Sequence, residues 1–592
     1  MTRFCRGAAL AAGCAAAFVV AVDLARALRP ALLLDPESSW ALARLLLGLS
    51  VVAASAGAGV LAASVFLAFS RIPGVAEPLA PLPFSRNALA VLFVLALLAG
   101  AVFRFAELAR LPPSLWEDDV SLIAPSLALN GNLRDFADSV RPVVYGVSRP
   151  FGSVGVLYME LSRVVLRMWG TTVFGVRFVS AAAGVLSLVT AAWLGRFLLP
   201  RGGGTLAAVI LAGLRWHLIL SRWGWVMILL APLADVASLL ALRARRKGSL
   251  VAAAGAGLLM GLSAHVYLAA WIAAAALFGL LLWPSTGFRV PERGRLAACY
   301  VAAVALAAAP LVLFHEGRVF PYLRRVGQHN VLGEMSLRKS RMPPLAAAAD
   351  AAVSPWLLSD PTPRNDLPGR TRLGWVLGAA VAIALARALL AWREDLSAFL
   401  LVQAAAAFAA AIVGGQDGLP NGSRFGYLAD TTAIAASGGA LWILGRLPRD
   451  WRRAGAIAAL GVCAVLSLLG ARDAFDWARG RETFESFQGR DTLVGRTAAR
   501  WDRLGAVAID PGLRHPPDEV SNGTIASVRR FRLDPDEPWL SGFFDGVPRW
   551  GDRSFRIVAP RERALPGERP VELVRDAWGR PWAVVLGRSN RG

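Results

Sequence analysis

The chain is poor in the residues on which metal and redox chemistry most often rest. Its 592 residues include four cysteines and five histidines, and 18% are charged, against about 25% in an ordinary soluble domain. Cys5, Cys14, Cys299 and Cys463 all lie in apolar segments without disulfide or metal-ligand spacing, so neither a disulfide scaffold nor a zinc module is encoded. His217, His265, His315, His329 and His515 are scattered singly, and no metal triad is readable from them. There is no GxxxxGK[ST] phosphate loop and no GxGxxG after a strand, which removes the usual nucleotide-binding signatures. Lysine is nearly absent, and arginine carries most of the formal net charge of +22. No basic, aromatic-interleaved platform accompanies that charge, which argues against nucleic acid as a partner.

What the chain has in excess is apolar sequence. It is 56% hydrophobic with mean hydropathy +0.51, and the excess is concentrated. Residues 45–70, 296–314, 396–416 and 454–471 contain no Asp, Glu, Lys or Arg, and 249–288 lacks them too, with His265 its one basic side chain. A span needs roughly 20 apolar residues to cross the bilayer, and a backbone in lipid must satisfy its polar groups within the segment, so these runs predict helices. About thirteen crossings are expected by this length criterion, near 6–28, 42–68, 87–106, 173–195, 203–220, 224–242, 249–266, 268–284, 296–314, 373–391, 396–414, 425–445 and 454–471. The first is read as a retained helix rather than a cleaved signal, because the apolar stretch before Cys14 is short. Arg215 and Asp235 interrupt the 203–242 pair; Asp235 is expected to be paired inside the bundle.

Arginines in the short loops set the expected orientation. With the N-terminus in the cytoplasm, the inner loops carry Arg71 and Arg86, Arg196 and Arg201, Arg243 to Lys247, Arg289 to Arg295, Arg387 and Arg393, and Arg446 to Arg453. Residues 107–172, 315–372 and 472–592 then lie outside, although the 315–372 loop is itself basic. Residues 473–504 read as one or two helices. Short apolar runs at 506–509, 554–558 and 582–586, separated by Pro- and Gly-rich turns, read as strands. The fold class expected is mainly α: a polytopic membrane helix bundle with a small extracytoplasmic α/β domain at the C-terminus.

The first outer loop opens with Leu111-Pro112-Pro113-Ser114-Leu115-Trp116-Glu117-Asp118-Asp119. Three adjacent carboxylates directly beyond a membrane helix raise one another's pKa and can be tuned into a general base. The same residues would also suit the N-terminus of a helix, where acid complements the dipole. Residues 153–170 alternate Val154, Leu157, Leu161 and Val165 with Glu160, Arg163 and Arg167, the pattern of a helix lying on the membrane surface. The next crossing opens with Gly175-Val176-Arg177-Phe178-Val179-Ser180-Ala181-Ala182-Ala183-Gly184.

These runs resemble the GT-C membrane glycosyltransferases, specifically glycosyltransferase family 39, with its protein O-mannosyltransferases and aminoarabinose transferases. That family shows Pro-Pro-x-Leu-Trp-x-Asp-Glu in its first outer loop, followed by an Arg-x-x-Ser-x-x-x-Gly run entering the next span. Aligned so, Asp118 takes the place of the family's catalytic Asp and Asp119 that of its Glu, one methylene shorter; Glu117 is an extra acid. Ser221-Arg222-Trp223, His265-Val266-Tyr267, Pro363-Arg364-Asn365-Asp366 and Ser423-Arg424-Phe425 are similar to further family segments, and the resemblance covers roughly 85–490. Residues 1–84 then carry extra N-terminal helices, 85–471 the catalytic membrane region and 472–592 a separate soluble domain.

The resemblance implies transfer of a sugar from a polyprenyl-phosphate donor to a lipid, glycan or protein acceptor in the cell envelope. It places the chain in the inner (plasma) membrane among membrane lipids, with Asp118, Asp119 and Glu117 as catalytic candidates. Arg222 and Arg424 would meet the donor phosphate, since arginine offers bidentate contacts to an oxyanion; interfacial snorkelling is the other reading of both. His265 and Tyr267 would contact sugar or phosphate, or anchor the interface, and Arg364 and Asn365 would shape a loop over the site, or a simple turn. Family members differ in metal use, so no metal ligand is assigned and a divalent cofactor stays open. A glycan ligase, a transporter or flippase, and a non-catalytic scaffold are the competing classes.

Overall fold

The structure is a computed structural model of the whole chain. It describes residues 79–116, 119–120, 122–129, 155–284, 290–313, 356, 360, 362–413, 415–416, 419–420, 422–502, 504, 506–509, 529, 553–558, 568–576 and 578–589. The crossings expected at 6–28 and 42–68 lie outside the described residues, as do Glu117 and Asp118.

The described chain is mostly helical. In order it forms α1 (Arg86–Phe105), a short α2 (Ile123–Ala128), α3 (Val156–Trp169), α4 (Val173–Leu198), α5 (Gly203–Gly213), α6 (Arg215–Arg222), α7 (Leu230–Lys247), α8 (Leu250–Ser263), α9 (Ala270–Leu282) and α10 (Val290–Leu313). There follow α11 (Gly374–Leu390), α12 (Asp395–Val413), a two-residue hairpin of β1 (Gly415–Gln416) and β2 (Leu419–Pro420), α13 (Ala429–Arg446), α14 (Arg452–Arg479), α15 (Arg481–Ser486) and α16 (Gly489–Trp501). Short 3-10 turns at Val226–Leu229 and Gly422–Leu428 lead into α7 and α13.

Among the described residues, six helices are long and apolar enough to cross a membrane, and two bent pairs pass the same test together. Every apolar run expected between 87 and 471 is a helix, but α8 and α9 are short. The run 203–220 is broken: α5 and α6 meet at 60°, where Leu214 adopts an extended conformation. The helix stops where Arg215 would enter the apolar layer. Its guanidinium instead turns to Asp366 (2.9 Å) and Asp473 (3.3 Å).

The apolar surface identifies the solvent for which these helices are built. On α1, Val91, Leu95, Leu98 and Val102 are all more than half exposed, recurring at helical spacing along one face. Helix α14 exposes Val462, Val465, Leu468 and Leu469 in the same way. Faces of this size would not be left to water; in lipid they need no partner, and the chain is an integral membrane protein. Inside the bundle small residues set the spacing, as expected where close approach replaces hydrophobic drive. A Cβ at Gly213 would collide with the Ser467 carbonyl, and one at Gly257 with the Tyr300 carbonyl.

Beyond the bundle a four-stranded sheet has the order β3-β4-β6-β5, built from β3 (Ala506–Ile509), β4 (Arg553–Val558), β5 (Glu568–Arg575) and β6 (Pro581–Ser589). β3 and β4 are parallel; β6 pairs antiparallel with both β4 and β5. Val494 and Ala498 of α16 pack on Val507, Phe555, Ile557 and Val585 of the sheet. β5 is a strand for which no apolar run was evident. The last membrane helix does not stop at residue 471: α14 continues to Arg479.

Candidate functional site at the loop-bearing end of the bundle

The loop after α1 is held by its carbonyl groups from two directions. Arg177, near the start of α4 and fully buried, donates Nη1 to Leu108 O (3.1 Å) and Pro112 O (2.9 Å) and Nη2 to Ser114 O (2.7 Å). From the C-terminal segment, Arg496 Nη1 donates to Pro113 O (2.9 Å) and Leu115 N donates to Thr492 Oγ1 (3.1 Å). Ser114 Oγ donates to Phe484 O (3.2 Å). Pro112 and Pro113 have no N–H, so their carbonyls are the handles by which this stretch can be fixed.

Arg177, Ser180 and Gly184, spaced i, i+3 and i+7, lie on one face of α4. Ser180 Oγ donates to Trp225 O (3.0 Å) and meets Tyr158 Oη (2.9 Å). A Cβ at Gly184 would collide with Ser221 Oγ and lie 2.8 Å from Arg104 Nε. The run that resembles a family motif is thus, in this chain, a clamp that gathers the acid loop, the Trp223–Trp225 turn and α6 against one helix.

Of the three acids, Asp119 is described. It is buried, and its Oδ2 accepts the Trp116 N–H at 3.3 Å. Its charge acts on Arg177 and on Tyr158. Burial pushes the Tyr158 phenol well above its usual range; the bond to Ser180 opposes this and Asp119 adds to it.

Arg222 was expected to face an oxyanion. It is buried, and its guanidinium donates to Phe103 O (2.9 Å), Arg104 O (3.3 Å) and Leu111 O (3.2 Å) and stacks over Phe475 at 4.7 Å. That geometry closes the end of α1. His265 is also buried, in the α8–α9 turn, where Nε2 meets Ala307 O (3.0 Å) and its carbonyl accepts from Gly155 N (3.0 Å). Tyr267 packs half-buried against the core.

The segment 360–372 joins the loop to the membrane helices. Arg364 lies over the Trp116 ring at 3.8 Å and the Trp223 ring at 5.6 Å. Asn365 Nδ2 donates to Asp360 Oδ2 (3.2 Å), which also accepts the Gly422 N–H (2.5 Å). Asp360 Oδ1 accepts from Thr362 N (2.8 Å). Burial pushes the Asp360 carboxyl up, against the pull of Arg372 and these donors. Arg372 is enclosed between Trp216 (4.7 Å) and Phe425 (4.8 Å); burial lowers its pKa, with Asp366 and Asp360 opposing. The turn pinned at Gly422 carries Arg424. Arg424 is half-buried and makes no hydrogen bond, ion pair or ring contact among the described residues.

A second polar chain, invisible in the sequence, runs inward from the same end. Arg104 Nη2 bonds His217 Nδ1 at 2.7 Å. Guanidinium can only donate, so Nδ1 accepts and the imidazole proton sits on Nε2, 3.5 Å from Asp430 Oδ1. Asp430 faces Asp235, whose Oδ2 accepts from Thr190 at 2.9 Å. Asp235 is paired inside the bundle, with a hydroxyl and a second acid rather than a base. Among the described residues no group of three or more His, Cys, Asp or Glu could hold a metal ion.

No family profile and no curated protein matches the chain by sequence. Among solved structures it is similar to the archaeal oligosaccharyltransferase AglB from Archaeoglobus fulgidus, in complex with an inhibitory peptide and a dolichol-phosphate (TM-score 0.48, 14% identity, covering 80% of this chain and 69% of that one). It is also similar to ArnT from Cupriavidus metallidurans in the apo state (TM-score 0.49, 14% identity, 85% and 98%) and bound to undecaprenyl phosphate (TM-score 0.45, 14% identity, 85% and 98%). Both are membrane glycosyltransferases of the GT-C fold, the class that the sequence motifs resemble. At such identities and scores the likeness assigns no reaction and no residue role.

Proposed function

We propose that the protein transfers a sugar from a polyprenyl-phosphate donor to an acceptor on the extracytoplasmic face of the membrane. Asp118 takes the proton from the acceptor hydroxyl. The hydroxyl oxygen bonds to the anomeric carbon, the bond from that carbon to the phosphate oxygen breaks, and polyprenyl phosphate leaves with the negative charge. One direct displacement inverts the anomeric centre. Glu117 and Asp119 hold the acceptor or the loop.

The observation that carries this reading is Arg424. An arginine half-enclosed at the end of a membrane bundle, without an anionic partner among the described residues, is a seat for an anion brought by a ligand. It stands on the turn bonded through Gly422 to Asp360 and Asn365, and so to the loop whose Arg364 stacks on Trp116. A lipid phosphate and an acidic base are what this transfer needs together. Arg222, bound to three carbonyls, is left out of the donor site.

The test is binding of a spin-labelled polyprenyl-phosphate sugar to the full-length protein in lipid, wild type beside Arg424→Met and Arg424→Lys. Loss of one charge-assisted contact predicts affinity weaker by about tenfold or more in Arg424→Met, with partial recovery in Arg424→Lys. Equal affinity in all three sinks the assignment.

A further inference from the structure

The C-terminal segment is an expected separate domain in sequence, yet one of its helices reaches the acid loop. On α16, Val494 and Ala498 are fully buried against the sheet. Thr492 and Arg496 lie two positions earlier in each case. At about 100° per residue they fall roughly 200° around the helix, on its opposite side. That side meets the acid loop: Arg496 at Pro113 O, and Thr492 at both Leu115 N (3.1 Å) and Leu115 O (3.4 Å). Three consecutive carbonyls then alternate between two holders: those of Pro112 and Ser114 go to Arg177 of the membrane bundle, and that of Pro113 to Arg496 of the C-terminal helix, while Thr492 Oγ1 accepts the Leu115 N–H and has Gln488 O (3.1 Å) nearer to its own proton than Leu115 O. The far end of α16 is itself fixed to the sheet, because Arg500 and the Trp501 indole both donate to Glu572 of β5.

We infer that Thr492 and Arg496 are positioning residues, through which the C-terminal domain sets the stretch Pro113–Leu115 and hence the acids that follow it. The inference rests on the reaction proposed above for what the acids do. A loop held from one side can pivot about Arg177, whereas held from both it has one register. Misplacement of a catalytic group by about 1 Å costs on the order of a hundredfold in rate, so a hydroxyl and a guanidinium that fix the stretch leading into the acids are enough to govern turnover.

The experiment uses the full-length protein in lipid, with Thr492→Val, Thr492→Ser, Arg496→Met and Arg496→Lys. Two quantities are read: hydrogen exchange of the backbone amides 114–120, and kcat beside donor KM for sugar transfer. Thr492→Val and Arg496→Met should speed exchange in that segment and lower kcat by roughly ten- to a hundredfold, with KM held within about twofold. Thr492→Ser, which keeps the hydroxyl, should restore both, and Arg496→Lys should restore part. A loss of folded protein alone would lower the active fraction without the Ser rescue. Unchanged exchange overturns the clamp, and faster exchange with unchanged kcat overturns its role in turnover. Wild-type protein that transfers nothing refutes the reaction and with it the catalytic role, while exchange still decides the clamp.

Discussion

The guanidinium of Arg364 lies 3.8 Å from the centre of the Trp116 ring, and Trp116 is the residue before Glu117. This contact joins the loop 362–372 to the acid loop. A partly desolvated cation–π pair is worth about 0.5–2 kcal/mol, or roughly two- to thirtyfold in an equilibrium. Arg364→Ala should lower kcat/KM within that range, and Arg364→Lys should recover less than half of the loss, because an ammonium lacks the planar face. Steady-state transfer assays check this; full activity in Arg364→Ala would contradict it.

Arg177 is the other anchor of the acid loop. Hydrogen bonds to a charged donor contribute about 1.5–3 kcal/mol each, and Arg177 makes three to backbone carbonyls. Arg177→Met is expected to destabilise the protein by several kcal/mol, on the order of what losing a buried charged partner costs, and to abolish activity. Thermal unfolding followed by intrinsic fluorescence in detergent would show it as a large fall in Tm. A Tm within a degree or so of wild type would mean that the loop is held without Arg177.

Two glycines test the close approaches. At Gly213 a methyl would collide with the backbone carbonyl of Ser467, at Gly184 with the side-chain hydroxyl of Ser221. At Gly184 the hydroxyl can turn away, leaving contacts with Ser221 Cβ (2.7 Å) and Arg104 Nε (2.8 Å) that are looser than the carbonyl clash at Gly213, where a packed helix backbone cannot yield. Overpacking costs about 1–3 kcal/mol, and Gly213→Ala should fall at the upper end while Gly184→Ala falls lower. The order of the two Tm values is the measurement, and the reverse order would refute the packing argument.

The turn between β5 and β6 should respond to acid. Burial alone would raise the Asp576 carboxyl, but donation from the Trp582 indole, from Arg580 N and Nε and from Trp578 N together hold it below its ordinary value of 3.8. A group whose pKa is lowered by folding contributes stability that is present above its unfolded pKa and disappears as pH falls through the folded one. The turn should therefore loosen below about pH 4, seen as faster exchange of amides 576–582, and Asp576→Asn should remove that pH dependence. An acid response unaltered in Asp576→Asn would assign it elsewhere.

Much of this architecture was legible because membrane spans are written as absence of charge. The charge-free runs at 396–416 and 454–471 needed no partner to be read as helices. The continuation of α14 to Arg479 was hidden, since Arg472, Asp473 and Asp476 look like the start of a soluble domain. In space Arg472 pairs with Asp476 one turn on, and Asp473 pairs with Arg215. β5 escaped notice because its exposed side chains mix Arg569, Val571, Leu573 and Arg575. The residue types of the site were legible, but their partners were not. Arg222 and Arg424 looked alike in sequence. Folding gives the first three carbonyls and leaves the second without a described partner. Thr492 and Arg496 had no local signal, standing more than 370 positions from the loop they hold.

The central claim is that this membrane bundle is a sugar transferase with Asp118 as its base. The most direct measurement is transfer of labelled sugar from a panel of polyprenyl-phosphate sugars by purified full-length protein in lipid, wild type beside Asp118→Asn. Transfer by wild type, with loss of about a hundredfold or more in a well-folded Asp118→Asn protein, is the result predicted for removal of a general base. Transfer by both at similar rates would move the base to Glu117 or Asp119, and no transfer by wild type from any donor to a crude acceptor extract would contradict the account.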